Sequence, residues 1–325
     1  MPQPIPRPAP ATTATAIPPP GDLPPLVAPP RGPFGRFRRY VDENPWTNVY
    51  GLARTIIAAS TALTLIATSP DAMWSPFFEG QLGPLGCDGI RGSISLFCIV
   101  PPDYLDIAHR TAILILALVA SGWRPRITGL LHWWVSFSIL ASATRDGGDQ
   151  VAALMTLLLI PWTLTDPREW HWQRAVVDTA ASARKLFVAH AARVLVRLQV
   201  MVVYLHSAVT KFAVNEWLDG TAVYYWFHDP IVGASPALEP LLFPLARSGA
   251  VNALTWGAIA VEIALVLGLI APRRFWRPLF WLGVLFHVGI AVGLGLSSFS
   301  LAMIGALLLY LRPPEREFRW LQRPA

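Results

Sequence analysis

Apolar residues in this chain fall into long blocks separated by short polar punctuation. The blocks cover 47–68, 104–122, 127–143, 151–164, 194–212, 251–271, 278–296 and 299–311. A helix needs about 17–25 mostly apolar residues to cross a bilayer core. The pattern therefore predicts an all-α polytopic membrane protein with about eight transmembrane helices. The blocks at 151–164 and 299–311 are short, so they are expected to be tilted, re-entrant or shielded by neighbours.

The polar punctuation sets an orientation. With the N-terminus inside, Arg36, Arg38, Arg39, Arg124, Arg126, the arginines from Arg168 to Arg197, Arg273, Arg274, Arg277 and the tail from Arg312 fall on the cytoplasmic side. The other side keeps fewer cations, among them Arg91, Arg110, Arg145 and Arg247, beside acids such as Asp88, Asp103, Asp106 and Glu216. That asymmetry is what the positive-inside rule requires. It predicts a multi-pass plasma-membrane protein with both termini cytoplasmic. Composition agrees, with 54% hydrophobic and only 14% charged residues. The net charge of +6 then reflects topology and anionic lipid headgroups rather than a nucleic-acid footprint.

Residues 1–40 are proline-rich, as in PQPIPRPAP and IPPPGDLPPL, with no apolar core for a cleavable signal. They are expected to form a disordered cytoplasmic tail with polyproline character. The transmembrane domain is assigned to 45–312, and 313–325 to a short cytoplasmic tail. Asn44-Pro45 ends the first tail, and Thr47 or Asn48 can cap the first helix. Arg54, one turn inside, is expected to snorkel back toward the cytoplasm. Residues 165–193 are read as a cytoplasmic stretch lying on headgroups, with His171 and His190 as surface histidines.

Both cysteines, Cys87 and Cys98, fall in the outer loop within CDGIRGSISLFC. Two outward-facing cysteines close in sequence read as a disulfide staple. A redox-exchange role is the alternative, although no CxxC is present to lower a thiol pKa. The spacing fits no metal site, and none is expected.

Candidate chemistry concentrates in LQVMVVYLHSAVTKFAVNEWLDG. On a helix, Tyr204, Ser207 and Lys211 share a face, and Gln199, His206 and Thr210 are taken as an adjacent stripe. Glu262 sits mid-helix in WGAIAVEIALVLG, and His287 in LGVLFHVGIAVG, with Ser297, Ser298 and Ser300 following. Ionisable residues inside a span are costly, face the bundle interior or a wet cavity, and are functional by default. Lys211, Glu262 and His287 are therefore the candidate catalytic residues of a site opening to the outer side. Gln199, Tyr204, His206, Ser207, Trp217 and Asp219 are candidate substrate-binding residues. Two roles stay open for Lys211: a desolvated general base, or a cation held by Glu262 or Asp219 for structure or binding.

These segments resemble the HTTM (horizontally transferred transmembrane) family, which includes the membrane part of vitamin K-dependent gamma-carboxylase. The likeness rests on QVMVVYLHSAVTKFAVNEWLDG, the acid in TWGAIAVEIALVLGLI, and FHVGIAVGLGLSSFSLAMIGALLL. It implies an HTTM-like bundle in which the lysine at 211 is a catalytic base, with His287 and the stretch around Gln199 in the same site. Where the carboxylases carry a histidine, this chain reads TRDGGDQ, with Gly148 and Asp149. The sequence after the last span is also too short for the carboxylase's outer domain. Glutamate carboxylation and a quinone cofactor are therefore not expected, although a quinone- or lipid-dependent enzyme stays as an alternative. NPWTNVYGLARTIIAASTALTL and the paired cysteines look most like the sporulation-delaying protein B (SdpB) group. That likeness implies maturation or export of a secreted antimicrobial peptide. The expected partners are a precursor peptide, a small partner protein and membrane lipids, and a non-catalytic scaffold or export subunit is the main alternative.

Overall fold

The computed structural model describes residues 43–74, 84, 86–143, 147–175 and 183–321. The proline-rich tail, residues 75–83, Arg145, residues 176–182 and the last residues of the chain lie outside the described residues.

Each apolar block coincides with a helix. The long helices and their connectors are α1 (Asn48–Ala67), α2 (Pro70–Trp74), α3 (Gly89–Ile94), α4 (Leu96–Ile99), α5 (Leu105–Ser121), α6 (Pro125–Ser142) and α7 (Gly147–Thr165). They continue with α8 (Ala183–Lys211), α9 (Asn215–Leu218), α10 (Ala222–Phe227), α11 (Glu239–Ala246), α12 (Ala250–Leu267), α13 (Trp276–Leu294) and α14 (Ser297–Leu311). Among the described residues, five helices are long and apolar enough to cross a membrane: Asn48–Ala67, Pro102–Ser121, Ala183–Lys211, Ala250–Leu267 and Arg273–Leu294. Their outer faces are apolar, with Leu114, Leu267, Leu285 and Val292 all more than half exposed. Apolar surface of that extent suits lipid rather than water.

The short block at 299–311 is shielded. α14 packs along α1, α13 and α7, and residues Met303 and Gly305 to Leu311 are buried. Gly305 permits the approach of α1: a Cβ there would lie 2.6 Å from Ile57 Cγ1. A helix covered by neighbours needs no full lipid-facing length. α7 is likewise flanked by α6, α8 and α14. α12 packs on α8, which brings Glu262 and Lys211 to one seam.

The loop with the cysteines is a packed cap. Cys87 and Cys98 form a disulfide. Trp134 Nε1 donates to the Ile94 carbonyl at 2.7 Å, and Leu96 N–H donates to Ser138 Oγ at 2.9 Å, tying the cap to α6. Phe97 fills the apolar cluster with Trp74 and Leu105.

At the opposite end, charged residues knit the chain together. Glu43 accepts from Arg193 at 2.9 Å and from Arg273 at 2.5 Å, and Arg273 also pairs with Glu315 at 2.7 Å. Asn48 exchanges two hydrogen bonds with the Phe318 backbone, at 2.8 and 2.9 Å, pinning the segment after α14 to the start of α1.

Arg54 does not snorkel. It is fully buried and donates from Nη1 to His171 Nδ1 at 3.3 Å and from Nη2 to Thr128 Oγ1 at 3.1 Å. A guanidinium can only donate, so His171 Nδ1 accepts. The remaining ring N–H at Nε2 then faces Thr55 Oγ1 at 3.4 Å. His171 is thus no surface histidine; it is fully buried, and His190 is buried too. The stretch after α7 folds back beneath the bundle, where Arg168 forks onto Asp166 at 2.8 and 2.7 Å and donates to the His171 carbonyl at 2.7 Å. The two terminal nitrogens of the fully buried Arg54 side chain find hydrogen-bond partners inside the protein, which offsets part of the cost of leaving water.

Burial, with the charges of Arg54 and Arg168 alongside, pushes the His171 imidazole well below its ordinary titration range. A histidine kept neutral in the fold, with an unfolded value near ~6.5, contributes stability above that pH. The contribution is lost as pH falls below it. Stability of the detergent-solubilised protein is therefore expected to fall between about pH 7 and pH 5, by up to ~1.4 kcal/mol per pH unit for this proton. His171→Asn should flatten the slope in thermal melts; parallel slopes for the two proteins would remove His171 as its source.

Candidate functional site

α8 enters from the arginine-rich end and ends at Lys211, whose side chain is 15% exposed. Glu262 lies twelve residues from the start of α12, about 18 Å along a helix rising ~1.5 Å per residue. Lys211 lies fourteen residues beyond Arg197, about 21 Å by the same rise. The two groups therefore meet between the ends of the bundle.

Their contact is a salt bridge. Lys211 Nζ donates to Glu262 Oε1 at 2.8 Å and Oε2 at 2.9 Å, and to Ser207 Oγ at 2.8 Å. Ser207 Oγ in turn donates to Glu262 Oε1 at 2.9 Å. The side chains of Lys211 and Glu262 are 15% and 6% exposed, so neither charge is spread into solvent. Trp217 lays its ring face toward the ammonium, with Nζ 4.8 Å from the ring centroid. Such a cation–π contact is worth most where water is excluded.

Local sequence dictates the fold-back that places Trp217. α8 unwinds through i→i+3 bonds, and the chain then turns at Gly220, whose φ is +84°. A Cβ at Gly220 would also lie 2.5 Å from Asn252 Nδ2. Both facts make glycine necessary there. Asn252 Nδ2 donates to the Asp219 carbonyl at 3.0 Å, Trp256 Nε1 to the Leu218 carbonyl at 3.3 Å, and Val223 N–H to Thr255 Oγ1 at 3.2 Å. These bonds clip the segment from α9 to α10 against α12.

Beside the salt bridge opens a cavity of about 620 Å³. Ser207, Lys211 and Glu262 supply its polar end; Trp226, Phe227 and Phe299 are among its apolar walls. Gly257 on α12 and Gly289 on α13 also line it, and a Cβ at either would meet nothing within 4 Å. The cavity therefore exists partly because those helices carry no side chain there. A mostly apolar pocket with a few converging polar groups is the usual form of a ligand site.

The remaining predicted residues divide. Tyr204 and His287 form a second buried pair, with the hydroxyl 2.9 Å from Nε2. The His287 ring packs on Phe286 and Phe299, and its Nδ1 has no partner among the described residues. Phe286 and Phe299 face the cavity, so this pair stands behind its wall. His206 and Thr210 lie on the exposed side of α8. Two steps along a helix rotate by about 200°, which carries residue 206 away from Tyr204. Gln199 is half-buried, below the seam. Asp219 uses its carboxylate on Thr221, at 3.0 Å to the N–H and 2.6 Å to the hydroxyl, and makes no ion pair with Lys211. Asp149 is buried in the first turn of α7, next to Gly147 at the cavity edge. Among the described residues, no cluster of His, Cys, Asp or Glu could hold a metal ion.

The cavity walls Trp226, Phe227, Gly257 and Gly289 do not stand out in the sequence. The small residues Ala253 and Gly257 on α12, one turn apart, were the available signal.

Comparison with known proteins gives two relatives in Bacillus subtilis (strain 168). The chain is 42% identical over 290 residues to the uncharacterized protein YitO, covering 88% of this chain and 92% of that one. It is 35% identical over 281 residues to the sporulation-delaying protein SdpB, covering 85% of each. No family model matches the chain, and no solved structure matches it. The likeness to HTTM proteins thus rests on the residues quoted above. Identity at this level across nearly the whole chain places the protein in the SdpB family.

Proposed function

We propose that this chain is an integral plasma-membrane factor for maturation or export of a secreted antimicrobial peptide of the sporulation-delaying type. In this reading the eight long helices form an HTTM-like bundle with both termini cytoplasmic, and the cavity beside Lys211 opens toward the outer side. The observation that carries it is the Lys211–Glu262–Ser207 cluster at the polar end of the 620 Å³ apolar cavity, in a chain related to SdpB over 85% of its length. The cavity receives an apolar part of the precursor peptide, and the ion pair anchors a polar group at its end.

One observation favours the scaffold or export-subunit reading over base catalysis. An ammonium has three protons to donate, and here Glu262 Oε1, Glu262 Oε2 and Ser207 Oγ lie within donating distance of it. A base must present a free amine to its substrate, so Lys211 would have to leave these partners first. The quinone- or lipid-dependent alternative draws on the apolar walls alone. A quinone co-purifying with the intact protein, detected by mass spectrometry, would favour it.

Complementation of a deletion strain, read by the mass of its secreted peptides, separates the roles. Lys211→Met is expected to lower mature peptide at least tenfold by removing the anchor. Lys211→Arg keeps the charge but cannot lose a proton, so an anchor role predicts yield within about tenfold of the parent. Loss of about 100-fold or more would instead assign proton transfer to Lys211. Peptide at the parent level from Lys211→Met would end the site assignment altogether.

The pair also has a stability signature. Glu262→Gln leaves the ammonium without its counter-charge, at a cost of roughly 3–5 kcal/mol for a buried pair broken on one side. Lys211→Met combined with Glu262→Gln should be less damaging than Glu262→Gln alone, as read from melting temperatures in detergent. Additive losses would mean that the two side chains do not interact.

A further inference from the structure

A second cavity lies at the arginine-rich end, between the start of α13 and the end of α14. Its volume is about 300 Å³. Arg277, Arg312 and Arg316 line it, with Phe280, Trp281 and Leu311 as its apolar side. No acid lines it. Among the described residues, no ion pair joins any of the three arginines to a carboxylate. Glu315, next in sequence to Arg316, is turned to Arg273 instead, at 2.7 Å.

Arg312 is fixed in place. Its Nε and Nη2 donate to the Arg316 carbonyl at 3.2 and 2.8 Å, and its guanidinium stacks 3.8 Å from the Phe318 ring centroid. Burial, and then the like charges of Arg316 and Arg277, hold its guanidinium below the ordinary arginine range. Three like charges gathered around one hollow repel one another unless an anion sits among them. Planar guanidinium forks match a phosphate's oxygens. The apolar side continues from the charged rim along Phe280 and Trp281, toward the lipid-facing surface of α13. A phosphate carried on an apolar tail satisfies both halves at once, whereas free phosphate satisfies only the rim.

We propose that Arg277, Arg312 and Arg316 form a binding site for the phosphate of an anionic membrane lipid, with an acyl chain along Phe280, Trp281 and Leu311. The site is separate from the Lys211 cavity and independent of any role in peptide production. A bound lipid there would staple the start of α13 to the end of α14.

The test uses the full chain in a neutral detergent, mixed with phosphatidylglycerol or phosphatidylcholine and read by native mass spectrometry. One phosphatidylglycerol is expected to be retained in preference to phosphatidylcholine. Each basic side chain contributes about fivefold in affinity near a lipid headgroup. Arg277→Gln and Arg316→Gln should each lower retention about fivefold, and together about 25-fold. Arg277→Lys should keep part of the binding, and unchanged melting temperatures would show that the exposed variants fold. Arg274→Gln is the control: Arg274 lies outside the hollow, its guanidinium over Phe275, and should leave retention unchanged. Equal loss in Arg274→Gln would mean general attraction to a basic surface and overturn the site. Equal retention of phosphatidylcholine would overturn it as well. Displacement of the lipid by inorganic phosphate at equal concentration would reassign the hollow to a soluble anion and overturn the lipid proposal.

Discussion

A lysine and a glutamate held 2.8 Å apart between α8 and α12 constrain everything around them. Each ion costs several kcal/mol to remove from water, and the attraction between them offsets this only when their remaining hydrogen-bonding capacity is filled. Ser207 fills part of it by accepting from the ammonium and donating to the carboxylate. The ring of Trp217 covers the ammonium from the side of the fold-back. Trp217 reaches that position because the chain turns at Gly220 and three side-chain bonds clip the turn to α12. The salt bridge, the glycine turn and the cavity wall are thus one construction.

A second buried cation makes a useful contrast. Arg54 is as deeply placed as any residue in the molecule, yet its partners enclose it: His171, Thr128 and the ring of Tyr50. None of these residues lines the large cavity. That cluster fastens α1 to α6 and to the loop after α7. Lys211 differs because one side of its cluster is cavity wall. The same kind of charge serves cohesion in one place and faces a ligand-sized space in the other. Enclosure by protein, rather than burial as such, separates the two.

Much of the helix layout was legible because apolar runs bounded by Arg, Pro and Gly leave few other readings. The short block at 299–311 was legible as a helix, and shielding was one of three readings of its length; the sequence could not choose among them, since Gly305 against Ile57 is a contact between distant parts of the chain. Lys211 and Glu262 were visible as charges in costly positions, but sequence left Glu262 and Asp219 both open as partners of the lysine; the packing of α12 on α8 selects Glu262. His206 was placed by treating neighbouring positions as one stripe, whereas the helix turns about 200° between Tyr204 and residue 206. The burial of Arg54 and His171 was hidden because the two residues that bond each other lie 117 positions apart. The cavity itself was least legible. It is defined by missing side chains at Gly257 and Gly289, and apolar periodicity does not register an absence.

In the proposed function the Lys211–Glu262 pair acts as a unit and forms the polar end of the working site. The direct measurement is secreted-peptide yield from the exchanged protein, Lys211→Glu with Glu262→Lys, beside each single exchange. The pair's geometry predicts that either single exchange places two like charges together and abolishes the peptide, while the double exchange restores a measurable part of it. Parent-level peptide from both single exchanges would rule out a working role for the pair, because two like charges would then occupy that seam without consequence.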